Sequence, residues 1–363
     1  MEAIKRRQNA EKKMKRTKLL DDCINYRKEK AVAQRTLREE QHLYWSQYCS
    51  NLTQDTKLSS VWRMAKRMTG INSNINVPTL IYNNVKYDSE SEKANLLAST
   101  IAEASKDKNY NSNFQEHRKR IESVWSTSSD SPGHPDMMHI NEDFELHELQ
   151  QAIKLAKIQS TPGEDDITYQ LLKKVPKSSL QNILSFYNYL WHKGEIPSDW
   201  KEAIITPLHK VGTDKTIPAS YRPISLTSAL CKINERLITT RLVWFLEKND
   251  IISKSQSAYR KQRSTMDQLI RLHDSINKSI NTKGHTVGIF FDFSKAFDMV
   301  WRRGLIHKME EHGIEGRIKS WITDFLTNRK IKVRLGNTLS KEYVLENGTP
   351  QGSVLSPILF LLI

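Results

Sequence analysis

Asp292 lies where an apolar run, "TVGIFF" at 286–291, gives way to "DFSKAFDMVW". A run of that composition is expected to be a buried strand. A strand that carries one carboxylate from a dry core to a surface can hold a divalent cation rigidly. A helix N-cap or a structural ion pair would use the same carboxylate differently. Two enzyme classes fit poorly. A dehalogenase-type phosphatase needs a second Asp two residues on, where this chain has Ser294, and no GxxxxGK[ST] phosphate loop occurs. Phe297 follows Asp292 by five residues. A bulky ring there can sit beneath a nucleotide sugar and clash with a 2′-hydroxyl, although a lone aromatic serves a core equally well. Asp298 is too near in sequence to share the same cation and is taken as a helix-start or structural carboxylate.

Other residues carry complementary chemistry. Arg222 in "YRPIS" suits a phosphate, since its planar fork donates two hydrogen bonds, and Lys210 lies at the end of "ITPLHK". Tyr259, Arg260, Lys261 and Arg263 in "AYRKQRST" put cations around an aromatic ring, as a groove tracking a nucleic-acid backbone requires. Pro350 and Gly352 in "NGTPQGS" set a tight turn that aims Gln351 outward. Each group also has a plain alternative, a solvated charge or an ordinary loop. His307 and His312 are five apart, on different faces of a helix, and are not a zinc motif.

These groups need a scaffold. The chain has 363 residues, enough for two or three domains, with 38% hydrophobic and 27% charged residues. Its net charge of +15 points to a polyanion, nucleic acid first and an anionic membrane surface second. Three scattered cysteines without a CxxC pair fit an intracellular, reduced protein, in nucleus or cytoplasm. There is no secretory leader and no membrane-spanning run. No Gly or Pro precedes Gly70, so residues 1–70 form a basic helical extension, either a solvated face or a nucleic-acid arm. "LSSVWRMAKRMTG" is expected to be an amphipathic helix closing on Gly70. A hairpin turning at Asn83-Asn84 and a helix follow. Residues 106–140 are polar and Ser/Pro-rich, hence a linker or flexible loop. Beyond them come helices with apolar stripes, including Leu180–Trp191 ended by Gly194 and one capped by Ser264. "EAIITPLHK" is a strand, and "KIKVRLGNTLSKEYVLE" is a hairpin turning at Gly336-Asn337. "VLSPILFLLI" reads as an unfinished core helix.

A palm-type polymerase is the class that binds Mg²⁺ through a strand Asp and the next carbonyl, here that of Phe293. At this point four motifs in order carry a resemblance. "FFDFSKAFDMVW" resembles the first catalytic motif of non-LTR (LINE- and jockey-like) reverse transcriptases. "SYRPISLTSALCKINERLI" resembles their finger motif, "QSAYRKQRSTMDQL" the template-contacting motif, and "GTPQGSVLSPILF" the next palm motif. The resemblance covers 142–363, and more weakly 45–105. It implies an α+β right-hand polymerase fold of fingers and partial palm, preceded by a basic helical extension (1–70) and a pre-polymerase region with linker (71–141). It implies RNA-directed DNA synthesis, with RNA template, DNA primer and dNTP as partners. Asp292 is then the catalytic residue. Asp292 and the Phe293 carbonyl are the Mg²⁺ ligands. Lys210, Arg222, Phe297, Gln351 and Gly352 bind dNTP. Tyr259, Arg260, Lys261 and Arg263 bind nucleic acid. Gly163-Glu164-Asp165-Asp166 stands where the family has Gly-Pro-Asp-Gly, and "QSAYR" replaces Phe-Gly-Phe-Arg. The family's Tyr-x-Asp-Asp hairpin does not occur within these residues, nor do the thumb and endonuclease. The two-metal site is therefore expected to be half-built and the chain inactive alone, with its apolar last residues exposed. The alternative is a non-catalytic nucleic-acid-binding remnant or a repurposed protein.

Overall fold

A computed structural model describes residues 2–51, 53, 77–125 and 134–363, in two compact units, Met1–Asn74 and Ile75–Ile363. The described residues of the first unit form a helical hairpin of α1 (Glu2–Thr17) and α2 (Leu20–Ser50). Lys18, at φ 52°, makes the turn. Asp22 closes it by accepting from Thr17 Oγ1 at 2.6 Å and pairing with Lys13 Nζ at 2.9 Å. Ala10 and Ala33 are the buried small residues of the hairpin. The amphipathic helix expected before Gly70 lies outside the described residues.

The second unit opens with β1 (Leu80–Tyr82) and β2 (Val85–Tyr87), turning at Asn83 and Asn84 with φ 49° and 62°. Then comes α3 (Glu90–Ala104), started by a capping box between Ser89 and Glu92. The segment expected to be a linker instead holds α4 (Ser112–Trp125). Its polar composition masks an aromatic edge. Phe114 meets the Trp301 ring edge-on at 5.7 Å between centroids, Trp125 stacks on Trp301 at 5.1 Å, and Tyr110 donates to the Met299 carbonyl at 2.8 Å. Residues 126–133 lie outside the described residues.

Next come α5 (Leu146–Leu155), α6 (Lys177–Lys193), β3 (Glu202–His209), β4 (Tyr221–Leu226), α7 (Ala229–Lys248), α8 (Thr265–Asn281), α9 (Arg302–Glu311), α10 (Arg317–Leu326), β5 (Lys330–Leu335), β6 (Thr338–Leu339), β7 (Tyr343–Val344) and α11 (Ser356–Phe360). Gly194, left-handed at φ 68°, ends α6 as its sequence indicates. β3 pairs antiparallel with β4 and parallel with β5, which also pairs antiparallel with β6 and β7. Alternation puts Ala203, Ile205, Ile331, Val333 and Leu335 on one face of this mixed sheet, in a small core with Leu97 and Ala98 of α3. A larger core joins α5, α6, α7, α9 and α10 through Tyr187, Trp191, Phe245, Trp321 and Phe325.

Two expectations are overturned. Most of the chain's last apolar residues are covered: Ile358, Leu359 and Leu362 are buried in the large core, and only Ile363 of that run is exposed. Burying three such side chains contributes about 1.5–3 kcal/mol each, enough to hold a five-residue helix that would not persist alone. The run 286–291 is not a buried strand. It is irregular, and Val287, Ile289, Phe290 and Phe291 are 73–85% exposed. A strand needs a ladder partner as well as an apolar composition, and no strand among the described residues pairs with this run. Helix α8 precedes it with Met266, Leu269, Ile270 and Ile280 also exposed. A run of exposed apolar residues therefore leads up to Asp292, where the sequence suggested a buried strand.

Candidate functional site

The site grows from three pieces of backbone: the turn at 294–300, the loop at 347–353 and strand β4. Arg302, at the start of α9, anchors the loop. Its Nε donates to the Gly348 carbonyl at 2.9 Å, and its two terminal nitrogens donate to Leu345 at 2.9 Å and Asn347 at 3.0 Å. Burial, then the nearby Arg329 charge, push its pKa down to about 9, so it remains a cation at neutral pH. The loop is laced to the turn by Gly348 N–H to the Val300 carbonyl at 2.9 Å and Thr349 N–H to the Phe297 carbonyl at 2.7 Å. Gly348 has φ +84°, and a Cβ there would lie 2.5 Å from the Asp298 carbonyl oxygen. On the far side, Ser225 N–H of β4 donates to the Gln351 carbonyl at 2.7 Å. Gly352, at φ +119°, passes so close that a Cβ would lie 2.8 Å from the Ser225 oxygen. Neither glycine tolerates a side chain.

This lacing brings several expected residues together. Gln351 Nε2 donates to Asp298 Oδ1 at 3.0 Å. Phe297 precedes Asp298 and sets its ring 5.4 Å from Phe360 of α11, centroid to centroid. Burial pushes the Asp298 carboxyl above the usual carboxylate range, against the Gln351 hydrogen bond and the charges of Lys295 and Lys210. Lys210 thus lies within electrostatic reach of this turn, although its Nζ donates to the Ala219 carbonyl at 3.0 Å. Arg222 is exposed on β4, opposite Leu208 of β3 and three residues before Ser225.

Other expected residues stand apart in kind. Asp292 and Phe293 are exposed on the irregular run, Phe293 at 74%. Among the described residues, no group of three His, Cys, Asp or Glu side chains could hold a metal ion. One carboxylate and one carbonyl are two of the roughly six oxygen ligands that Mg²⁺ takes, so the described residues do not complete a cage. Tyr259, Lys261 and Arg263 are exposed, Tyr259 in a left-handed turn at φ 60°. Arg260 is turned inward. It makes a two-armed ion pair with Glu247, with Nε to Oε1 at 2.8 Å, and donates to the Ser253 carbonyl at 2.8 Å.

Two supports were not singled out from sequence. One is Arg302. The other is Glu235 of α7, fully buried, whose Oε2 accepts from Ser353 Oγ at 2.5 Å, Val354 N–H at 2.7 Å and Leu355 N–H at 3.2 Å. Cys231 Sγ donates to its other oxygen at 3.5 Å. Buried Arg329 is its neighbouring cation and also donates to the Phe325 carbonyl at 2.9 Å. A signal for Glu235 exists in the sequence, because it interrupts the stripe Cys231, Ile238, Leu242 at helical spacing. A charge on an apolar stripe has to be paired.

Residues 208–363 match the family model described as Reverse transcriptase (RNA-dependent DNA polymerase). Three relatives from Drosophila melanogaster align over 215–219 residues. They are the probable RNA-directed DNA polymerase from transposon BS (35% identical, 59% of this chain), that from transposon X-element (33%, 60%), and the RNA-directed DNA polymerase from mobile element jockey (34%, 59%). The chain covers 23–24% of the length of these relatives. Over this span the chain is similar to reverse transcriptases of mobile elements. The family as a whole uses divalent metal ions. Among the described residues, no helix is long and apolar enough to cross a membrane.

Proposed function

We propose that residues 142–363 are the nucleotide- and template-binding part, fingers and partial palm, of an RNA-directed DNA polymerase of a non-LTR element. The observation that carries this is the interlacing of the 297–300 turn, the 348–352 loop and β4, which sets Phe297, Asp298 and Gln351 together with Lys210 nearby and Arg222 on the adjoining strand. In this proposal Phe297 is the sugar gate, Gln351 meets the sugar, and Arg222 and Lys210 take the triphosphate. Tyr259, Lys261 and Arg263 track an RNA template paired to a DNA primer, and Arg260 holds their loop against Glu247. Asp292, with the Phe293 carbonyl, is half of a Mg²⁺ site, and no Tyr-x-Asp-Asp occurs in these residues. We therefore propose that they bind nucleotide and nucleic acid without turnover.

The test is equilibrium binding of a fluorescent dNTP to the chain, competed by unlabelled dNTP and rNTP. Saturable binding with a preference for dNTP is expected, and Phe297→Ala is expected to erase the preference. Absence of saturable dNTP binding, or a preference untouched by Phe297→Ala, refutes the proposal. Primer extension on an RNA template separates the remaining possibilities. No product is expected, and product from the wild-type chain that survives Asp292→Ala would remove Asp292 from catalysis.

A further inference from the structure

Gln351 carries an amide whose two ends differ in chemistry, one an acceptor and the other a double donor. Which end faces a ligand depends on what fixes the other. The Gln351 main chain is already immobilised by Ser225 N–H on its carbonyl at 2.7 Å and by Gly352 packed against the Ser225 oxygen. The remaining freedom is a flip of the side-chain amide. Asp298 removes it. An ionised carboxylate only accepts, so the Nε2 end must face it, at 3.0 Å, and the Oε1 end is the one left for another partner.

We propose that Asp298 is a positioning residue, which fixes the amide of Gln351 so that its oxygen faces the bound nucleotide as a hydrogen-bond acceptor for a sugar hydroxyl. The proposal rests on reading the 297–298 turn and the 348–353 loop as the nucleotide site. Asp298 touches no substrate in this role. Its main chain is itself held in place, since Gly348 packs onto the Asp298 carbonyl and Thr349 N–H bonds the preceding carbonyl of Phe297. The charged groups facing it are Lys295 of its own turn and Lys210 from the end of β3, and both favour the ionised form that the role requires.

A purely structural carboxylate would behave differently on neutralisation. Burial pushes Asp298 above its unfolded value, so the folded state binds its proton more tightly than the unfolded one does. Its charge therefore costs stability once the pH rises past the unfolded value of about 3.9. The isosteric Asp298→Asn removes that cost and keeps the volume, but an asparagine can donate as well as accept, so the Gln351 amide is free to flip. Losing one orienting hydrogen bond should weaken dNTP binding about five- to tenfold.

The experiment uses the full chain in three forms: wild type, Asp298→Asn and Asp298→Ala. Side-chain amide NMR, with Gln351 assigned through Gln351→Leu, is expected to show the Nε2 protons shifted away from the solvent position in the wild type and returned to it in Asp298→Ala. A Gln351 signal identical in the wild type and Asp298→Ala overturns the contact. Titration with dATP is expected to show five- to tenfold weaker binding by Asp298→Asn, at a melting temperature equal to or above that of the wild type. Unchanged dATP affinity in Asp298→Asn overturns the positioning role alone. A wild-type chain that binds no dATP overturns the nucleotide reading beneath it. A lowered melting temperature in Asp298→Asn, together with weakened binding, assigns Asp298 to the fold and overturns the proposal.

Discussion

Replacing Glu235 with alanine strips the acceptor from three donors at the start of α11. The Ser353 hydroxyl and Val354 N–H have short bonds to Glu235 Oε2, at 2.5 and 2.7 Å, whereas Leu355 N–H keeps an alternative acceptor in Ser353 Oγ at 3.1 Å. Two donors are thus stranded in a buried site, at about 1–3 kcal/mol each. Buried Arg329 loses its neighbouring anion, while the desolvation that Glu235 itself suffers is relieved. The balance resembles a broken buried pair, about 3–5 kcal/mol. For a domain of this size, about 2–4 °C per kcal/mol translates that into a fall of roughly 6–20 °C in Tm. Glu235→Gln should fall between wild type and alanine, since the amide oxygen can still accept from residues 353–355 while the NH₂ group takes the Cys231 side and the negative charge is lost. Urea denaturation followed by near-UV circular dichroism gives the free energy. Hydrogen exchange at residues 353–356 localises it, with early loss of protection expected there. A loss under about 1 kcal/mol in Glu235→Ala, with protection at 354 and 355 intact, would refute the claim that this carboxylate holds the loop.

Three further outcomes follow from the same geometry. Gly348→Ala and Gly352→Ala should each cost about 1–3 kcal/mol or more of unfolding free energy in urea titrations and weaken dNTP binding, because each combines a positive φ with a contact under 3 Å. Gly212→Ala, at φ +82° with nothing within 4 Å, should cost only the backbone penalty of about 1 kcal/mol and leave binding unchanged. Burial opposes ionisation of Glu148, but hydrogen bonds from Arg241, at 2.9 and 2.7 Å, outweigh it and hold the carboxyl below the usual range. Its stabilising effect is therefore complete above the unfolded pKa of about 4.3 and fades as the pH falls below it, so Arg241→Lys should raise the acid-unfolding midpoint. Phe360→Ala removes the ring behind Phe297 and should erode the preference for dNTP over rNTP in the competition assay without abolishing dNTP binding.

Much of the architecture could be read from local pattern. The turn at Asn83-Asn84, the cap at Ser264, the stop at Gly194 and the hairpin at Gly336 each depend on a few neighbouring residues. Helices α5, α6, α7 and α10 depend on stripes confined to their own segments. Their physics is short-range, so composition and spacing suffice. The misreadings share a cause. Residues 112–125 look polar because their helix contributes only an aromatic edge, and Trp301, far along the chain, supplies the partner. Residues 286–291 look like a strand because composition reports a capacity for pairing, whereas a strand forms only where a partner supplies the ladder.

The candidate site divides the same way. Its residue types, Phe297, Gln351, Gly352, Arg222 and Lys210, are written in motifs and were legible one by one. Their assembly was not. Asp298 meeting Gln351, Arg302 gathering three carbonyls and Glu235 holding the 353–355 backbone are contacts across 53, about 45 and about 119 residues of chain. A sequence records that a carboxylate is present and how far it lies from its neighbours along the chain. Whether it is solvated, paired or buried is decided by groups from distant segments, because desolvation and hydrogen bonding act through space and over a few ångströms. By itself, then, the sequence carried the family resemblance, most of the helices and the types of side chain at the site. Only the tertiary structure made Asp298 and Glu235 the carboxylates that hold the site's loop, and left Asp292, the one the sequence singled out, exposed on an unpaired run.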